Sequence, residues 1–286
     1  TARCQPQLGD ARMYRSCFLG CGGRARGHAA AYKHVTGGSM VAICDMDEER
    51  LASFGDDFGV DTRYTDMVEM IEKEKPDLLH IVTPPTIRYS LMKVAADLGV
   101  PAVIVEKPIA LQSEDYIQIR SLLDMDTKFI VNTQLHFHPN NLTLGDAVRG
   151  GEIGDIRFVD ASARSTPIDQ GPHVLELVSS YLGLVPPTQV FGQVSGGAHM
   201  EGRQPSPSHA TGTVVYEGGI RANVTFGTEA APRIWDNDSV FMHKRIAVYG
   251  TKGWAHWYMA GWEKFTAKDG YTSGSHGYGE QDELAQ

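Results

Sequence analysis

Between Tyr14 and about Asn132 the chain alternates short apolar runs with stretches of helical periodicity, and this rhythm narrows the fold more than any other feature. The runs are Tyr14–Leu19, Met40–Cys44, Leu78–Val82, Ala102–Val105 and Phe129–Val131. They are rich in β-branched residues and almost unbroken in apolar character, as strands buried on both faces are. Between them fall candidate helices at Arg26–His34, Glu48–Phe58, Asp66–Glu74, Ile87–Leu98 and Ser113–Leu123. Strands alternating with helices of this length predict βαβ units, hence an α/β domain built on a parallel sheet.

After Asn132 the rhythm changes. A helix is expected over Asn141–Val148, closed by Gly150-Gly151, then a strand at Ile156–Ala163. Pro172 to Leu182 reads as a helix with proline at its first position and Gly183 just past its end. From Thr188 onward strand-like runs dominate: Gln189–Val194, Ala210–Tyr216, Ile220–Phe226, Lys244–Val248 and Trp254–Tyr258. Glu217-Gly218-Gly219 and Gly250-Thr251-Lys252-Gly253 read as hairpin turns. The expectation is an α/β N-terminal domain over residues 1–133. It is followed by an α+β domain over 134–286 with a largely antiparallel open sheet. Ser273–Gln286, rich in Gly and acidic residues, is expected to be loosely ordered.

Composition excludes some functions. The formal net charge is −9, with no cluster of Lys and Arg, so no nucleic-acid partner is expected. No apolar run reaches the roughly 18 residues of a membrane span. All four cysteines, Cys4, Cys17, Cys21 and Cys44, lie near the start without a C-x-x-C pair, which suggests neither a disulfide framework nor a metal site. Cytoplasmic location is the default expectation. Trp235, Trp254, Trp257 and Trp262 read as packing residues rather than a sugar platform.

The first run leads into Gly20-Cys21-Gly22-Gly23-Arg24-Ala25-Arg26-Gly27-His28, which fits G-x-G-x-x-G/A. Gly20 permits the tight turn out of a strand, Gly22 lets backbone approach a pyrophosphate, and Ala25 allows close helix–strand packing. The next helix then points unpaired N–H groups at the phosphates. The second run ends at Asp45, placed to accept from adenosine ribose hydroxyls and to repel a 2′-phosphate. That favours NAD over NADP.

With these residues in place the chain resembles the Gfo/Idh/MocA oxidoreductases, the glucose–fructose oxidoreductase and inositol dehydrogenase group. The carriers are the glycine loop with His28, Asp45, Thr83-Pro84-Pro85, Glu106-Lys107-Pro108, and Asp169-x-Gly171-x-His173, in order along the chain. The resemblance implies a Rossmann domain and a substrate domain, with NAD as cofactor. It implies hydride transfer to or from a secondary hydroxyl of a sugar or polyol. Lys107, Asp169 and His173 fall on the family's catalytic positions. The cofactor set is Gly20, Gly22, Gly23, Arg24, Ala25, Asp45, Thr83, Pro84, Glu106 and Lys107. The substrate set is Lys107, His136, His138, Arg164, Asp169 and His173. His173, at an expected helix start, would stay neutral under the helix dipole and accept the hydroxyl proton. No metal is expected, because His136 and His138 lack a supporting carboxylate or Cys cluster. A homodimer or homotetramer is expected through the open sheet face.

The chain departs from the family pattern at Arg88, where a His often stands, and at Glu176, where Asp is commoner. Two rivals stay open: an NAD-retaining redox-assisted glycosidase using the same residues, and a non-catalytic dinucleotide-binding protein.

Overall fold

The computed structural model describes residues 12–201, 204–230, 238–275 and 285. Cys4, Trp235 and all but the first three residues of Ser273–Gln286, Ala285 excepted, lie outside them. The chain divides into two compact units, Thr1–Asn132 and Thr133–Gln286.

The first unit runs β1 (Tyr14–Leu19), α1 (Gly23–Ala31), β2 (Gly38–Cys44), α2 (Glu48–Phe58), β3 (Arg63–Tyr64), α3 (Met67–Glu74), β4 (Leu78–Ile81), α4 (Arg88–Asp97), β5 (Ala102–Glu106), α5 (Ser113–Ser121) and β6 (Lys128–Asn132). The strands form one parallel sheet in the order β3-β2-β1-β4-β5-β6. The chain leaves β1 in one direction and later crosses to its other side, so the topological switch point lies between β1 and β4. Local chemistry sets the helix ends. Asp47 caps α2 by accepting from the Arg50 N–H, and Gly59 closes that helix in the left-handed region at φ 66°. Asp66 caps α3 through the Glu69 N–H. Two apolar clusters, one centred on Leu79, Ile81 and Val103 and one on Phe18, Ile43 and Phe54, fill the unit. β3 has only two residues, too few to register in the apolar pattern. α1 begins at Gly23, three residues ahead of the expected start, so Gly23 to Ala25 belong to the helix rather than the loop.

The second unit runs α6 (Pro139–Arg149), β7 (Ile156–Ala163), α7 (Pro167–Tyr181), β8 (Pro187–Ser195), β9 (His209–Tyr216), β10 (Arg221–Phe226), β11 (Lys244–Gly250), β12 (Gly253–Tyr258), β13 (Gly261–Thr266) and β14 (Gly270–Ser275). The sheet order is β14-β13-β12-β11-β7-β10-β9-β8. Every pairing is antiparallel except β7 with β10. One face packs on α6 and α7 around Val159, Ile246, Val248, Trp257, Leu177 and Tyr181. The other face carries an aromatic row in register across five strands: Phe158, Tyr249, Trp254, Phe265 and Tyr271. Cross-strand aromatic neighbours of this kind stabilise a sheet, and the exposed ones leave apolar surface.

β13 and β14 extend the sheet beyond the expected strands, and Ser273 to Ser275 lie within β14. The expected helix start at Pro172 is corrected: α7 starts at Pro167, and Pro172 lies inside it. Pro167 fills the first-turn position where a missing N–H costs nothing. Gly171 resembles a loop residue in sequence, but it is the place where the Phe226 ring lies 3.7 Å from where a Cβ would stand. No helix among the described residues is long and apolar enough to cross a membrane.

Candidate functional site

In the first unit the site residues follow from the strand ends. Gly20, directly after β1, has φ +94°, and a Cβ there would stand 2.5 Å from the Val82 carbonyl oxygen. Only glycine relieves both constraints. Gly22 caps α1 with no side-chain hydrogen bond, and no acidic residue occupies the first turn, so the dipole end of the helix is bare. A Cβ on Gly22 or Gly23 would meet no atom within 4 Å among the described residues. Ala25 is fully buried against the sheet. Across the switch point Thr83 follows β4, and its Oγ1 is buried with no partner among the described residues. An open glycine turn, a bare helix end and an orphan hydroxyl together fit the pyrophosphate and sugar of a dinucleotide. Pro84 is exposed beside Thr83.

Asp45, at the end of β2, is 8% exposed, and its carboxylate is already engaged. Oδ2 accepts from the Cys21 N–H at 2.8 Å and Arg50 Nε at 2.9 Å; Oδ1 accepts from the Asp47 N–H at 2.9 Å and Arg50 Nη2 at 3.0 Å. Burial works against ionisation, but Arg50 and the two N–H groups outweigh it and hold the carboxyl below its ordinary value. Arg50, whose side chain is 47% exposed, thus holds both carboxylate oxygens from the solvent side.

Glu106 anchors a buried polar chain. Its Oε1 accepts from His28 Nε2 at 2.7 Å, Arg24 Nε at 2.8 Å and Asn132 Nδ2 at 2.9 Å. Burial alone would raise its pKa, yet His28 and Arg24 bring it down to about 2. A carboxylate only accepts, so His28 Nε2 bears the proton; its Nδ1 then accepts from His80 Nδ1 at 3.2 Å. His80 Nε2 in turn accepts from the Tyr32 hydroxyl at 2.9 Å. Burial, helped by His28, pushes His80 down to about 3, so its ring is neutral as this order requires. One carboxylate thereby fixes the tautomers of two histidines and ties the end of β5 to α1. Lys107 follows at once, half-buried.

In the second unit α7 presents Asp169, His173 and Glu176 along one face at helical spacing. Asp169 lies in the first turn, where an anion is favoured, and accepts from Ser165 Oγ at 2.8 Å. His173 is 4% exposed, in the second turn, so the dipole argument made for it passes to Asp169. Glu176 Oε1 meets His136 Nδ1 at 2.6 Å. Burial raises the Glu176 carboxyl and the His136 contact opposes it. Arg164 directly follows β7 and donates from Nε to the Thr228 carbonyl at 3.1 Å. His138 has no exposed surface, and its ring lies edge-on to Trp257. Behind this face the buried Lys244 ammonium donates to Gln170 Oε1 at 2.8 Å. No group of three or more metal-ligating side chains is found among the described residues.

Sequence reasoning missed His80, Tyr32, Asn132, Gln170 and Lys244. A signal existed for His80: one imidazole inside the apolar run Leu78-Leu79-His80-Ile81 must find a buried partner.

Residues 14–132 match a family model described as an oxidoreductase family with an NAD-binding Rossmann fold. The chain is 32% identical to D-apiose dehydrogenase of Paraburkholderia graminis over 155 residues, 54% of this chain and 41% of that protein. It is 27% identical to myo-inositol 2-dehydrogenase of Thermotoga maritima over 175 residues, 61% of this chain and 47% of that protein. The matches thus span under half the length of these relatives. Among solved structures, levoglucosan dehydrogenase with NADH and levoglucosan superposes with a TM-score of 0.82 at 15% identity, covering 96% of this chain and 88% of that one. An Agrobacterium radiobacter oxidoreductase with NAD+, L-tartaric acid and magnesium gives 0.79 at 21% identity, covering 95% and 85%. These likenesses show the fold.

Proposed function

We propose, from the match of residues 14–132 to an NAD-binding Rossmann oxidoreductase family, that the chain works as the Gfo/Idh/MocA oxidoreductases do and moves a hydride between NAD and a secondary hydroxyl or ketone of a sugar or polyol. The observation that carries the reading is the edge of the parallel sheet, where the bare α1 end, the orphan Thr83 hydroxyl and Lys107 follow successive strands. Bound NAD supplies the hydride acceptor. Gly20, Gly22, Gly23, Arg24, Ala25, Asp45, Thr83, Pro84 and Glu106 form its cradle. The Lys107 ammonium steadies the reacting oxygen, and the His173 imidazole takes the hydroxyl proton as hydride departs. Asp169 supports them, and His136 and Arg164 bind remote hydroxyls. The same reading takes the open aromatic face as the contact of a homodimer or homotetramer, and the cytoplasm, where free thiols such as Cys17, Cys21 and Cys44 persist, as the location.

The test incubates the protein with NAD and a panel containing D-apiose, myo-inositol and levoglucosan, following NADH by absorbance. Turnover is expected, and Lys107→Ala and His173→Ala are each expected to cost roughly a hundredfold or more in kcat. Undiminished turnover in both variants would defeat the residue assignment. Cleavage of a glycoside without NADH accumulation would defeat the net-oxidation reading.

A further inference from the structure

Arg88 is the first residue of α4 and is 1% exposed. A cation is disfavoured there twice. Burial strips its hydration, which pulls its pKa down to about 10, and the positive end of the α4 dipole lies beside it. Something must offset that cost, and the hydrogen bonds show what. Nη1 donates to the Pro108 carbonyl, and Nη2 donates to the Thr83 carbonyl at 2.7 Å. Nε has no partner among the described residues. The two carbonyls belong to the turns that leave β5 and β4. One turn carries Lys107 and the other carries the Thr83 hydroxyl. On the near side of Lys107, Glu106 is held by His28, Arg24 and Asn132. Lys107 is therefore bracketed: a clamped residue before it, an arginine-held carbonyl after it.

We propose that Arg88 is a positioning residue, whose guanidinium fork fixes the Thr83 and Pro108 turns in one geometry and so sets where the Lys107 ammonium is delivered. The inference rests on the reading of Lys107 as the lysine at the reacting oxygen. A lysine stem has four rotatable bonds, so its backbone must be rigid for its head to be placed, and a shift near 1 Å can cost about a hundredfold. Arginine suits the task because two donors on one plane span two carbonyls. Lysine at the same place presents a single point charge.

The test compares Arg88→Lys and Arg88→Met with the unchanged full chain. It measures hydrogen–deuterium exchange, NADH binding by fluorescence, and turnover of the panel polyol that is fastest in the unchanged protein. Exchange is expected to speed up by about tenfold or more in segments 83–87 and 106–110 and to stay unchanged elsewhere. kcat is expected to fall by roughly 10- to 100-fold, while KM and NADH affinity stay within about threefold. Arg88→Lys should recover part of the loss. Lys107→Ala should cost much less on the Arg88→Met background than alone. Unchanged exchange in both segments, an unchanged kcat, or losses that simply multiply would overturn the proposal. So would failure of both variants to fold, since Arg88 would then serve the fold rather than the lysine. If the unchanged protein turns over no polyol, the proposed function fails separately, and exchange with NADH binding still decides whether Arg88 holds the two turns.

Discussion

At the scale of single residues, the informative groups are those the fold leaves unsatisfied or over-satisfied. The Thr83 hydroxyl is buried without a partner, which costs stability that a bound sugar hydroxyl would return. Thr83→Val is therefore expected to stabilise the free protein by up to about 1 kcal/mol in urea melts while weakening NADH binding about fivefold. Destabilisation without loss of affinity would show that the hydroxyl serves the fold. Asp45 is the reverse case, a carboxylate saturated by Arg50 and two N–H groups. Asp45→Ser frees the Arg50 guanidinium for a 2′-phosphate. The NADPH-to-NADH affinity ratio is expected to rise at least about tenfold, read by paired fluorescence titrations. Residue types at strand ends were legible in the sequence. Their partners were not, because His28 meets Glu106 across 78 positions and His80 across 52, and no local pattern encodes such separations.

At the scale of elements, legibility followed local chemistry. β1, α2 and β7 end where their apolar runs and caps end. The start of α7 was hidden because Gly171 and Pro172 look like a boundary, whereas both lie inside a helix that begins at Pro167, with Gly171 facing the Phe226 ring. β14, Gly270–Ser275, has little strand propensity of its own and is held by pairing with β13. The α1–β4–β5 seam has a pH signature. His80 sits near 3 in the fold against an ordinary 6.5, so the unfolded chain takes up its proton first. The stability from keeping this ring neutral is full above pH 6.5 and is lost as pH falls toward 3. The slope should be about half that of one full proton at pH 6.5 and approach about 1.4 kcal/mol per pH unit between roughly pH 5.5 and 4. His80→Phe should lower stability at pH 7.5, because Tyr32 and His28 lose a partner, yet remove that slope from denaturant melts at successive pH values. A variant that keeps the slope would assign it elsewhere.

At the scale of the whole molecule, each unit has its own apolar core, and the open face of the second sheet bears the aromatic row. Phe265 and Tyr271 are 39% and 58% exposed there. If that face joins copies, light scattering of the unchanged protein gives a multiple of 31.3 kDa, and Phe265→Glu with Tyr271→Glu lowers the mass. A monomeric mass for the unchanged protein would refute the contact. The thiols carry one more consequence. Cys17, Cys21 and Cys44 are buried in the first unit, and burial pushes each up to about 12. A closed molecule therefore hides them from alkylating reagents near neutral pH. With Cys4 replaced by serine, a timed pulse of maleimide becomes a clock for that half of the chain, counting only moments when the dinucleotide-binding core comes apart.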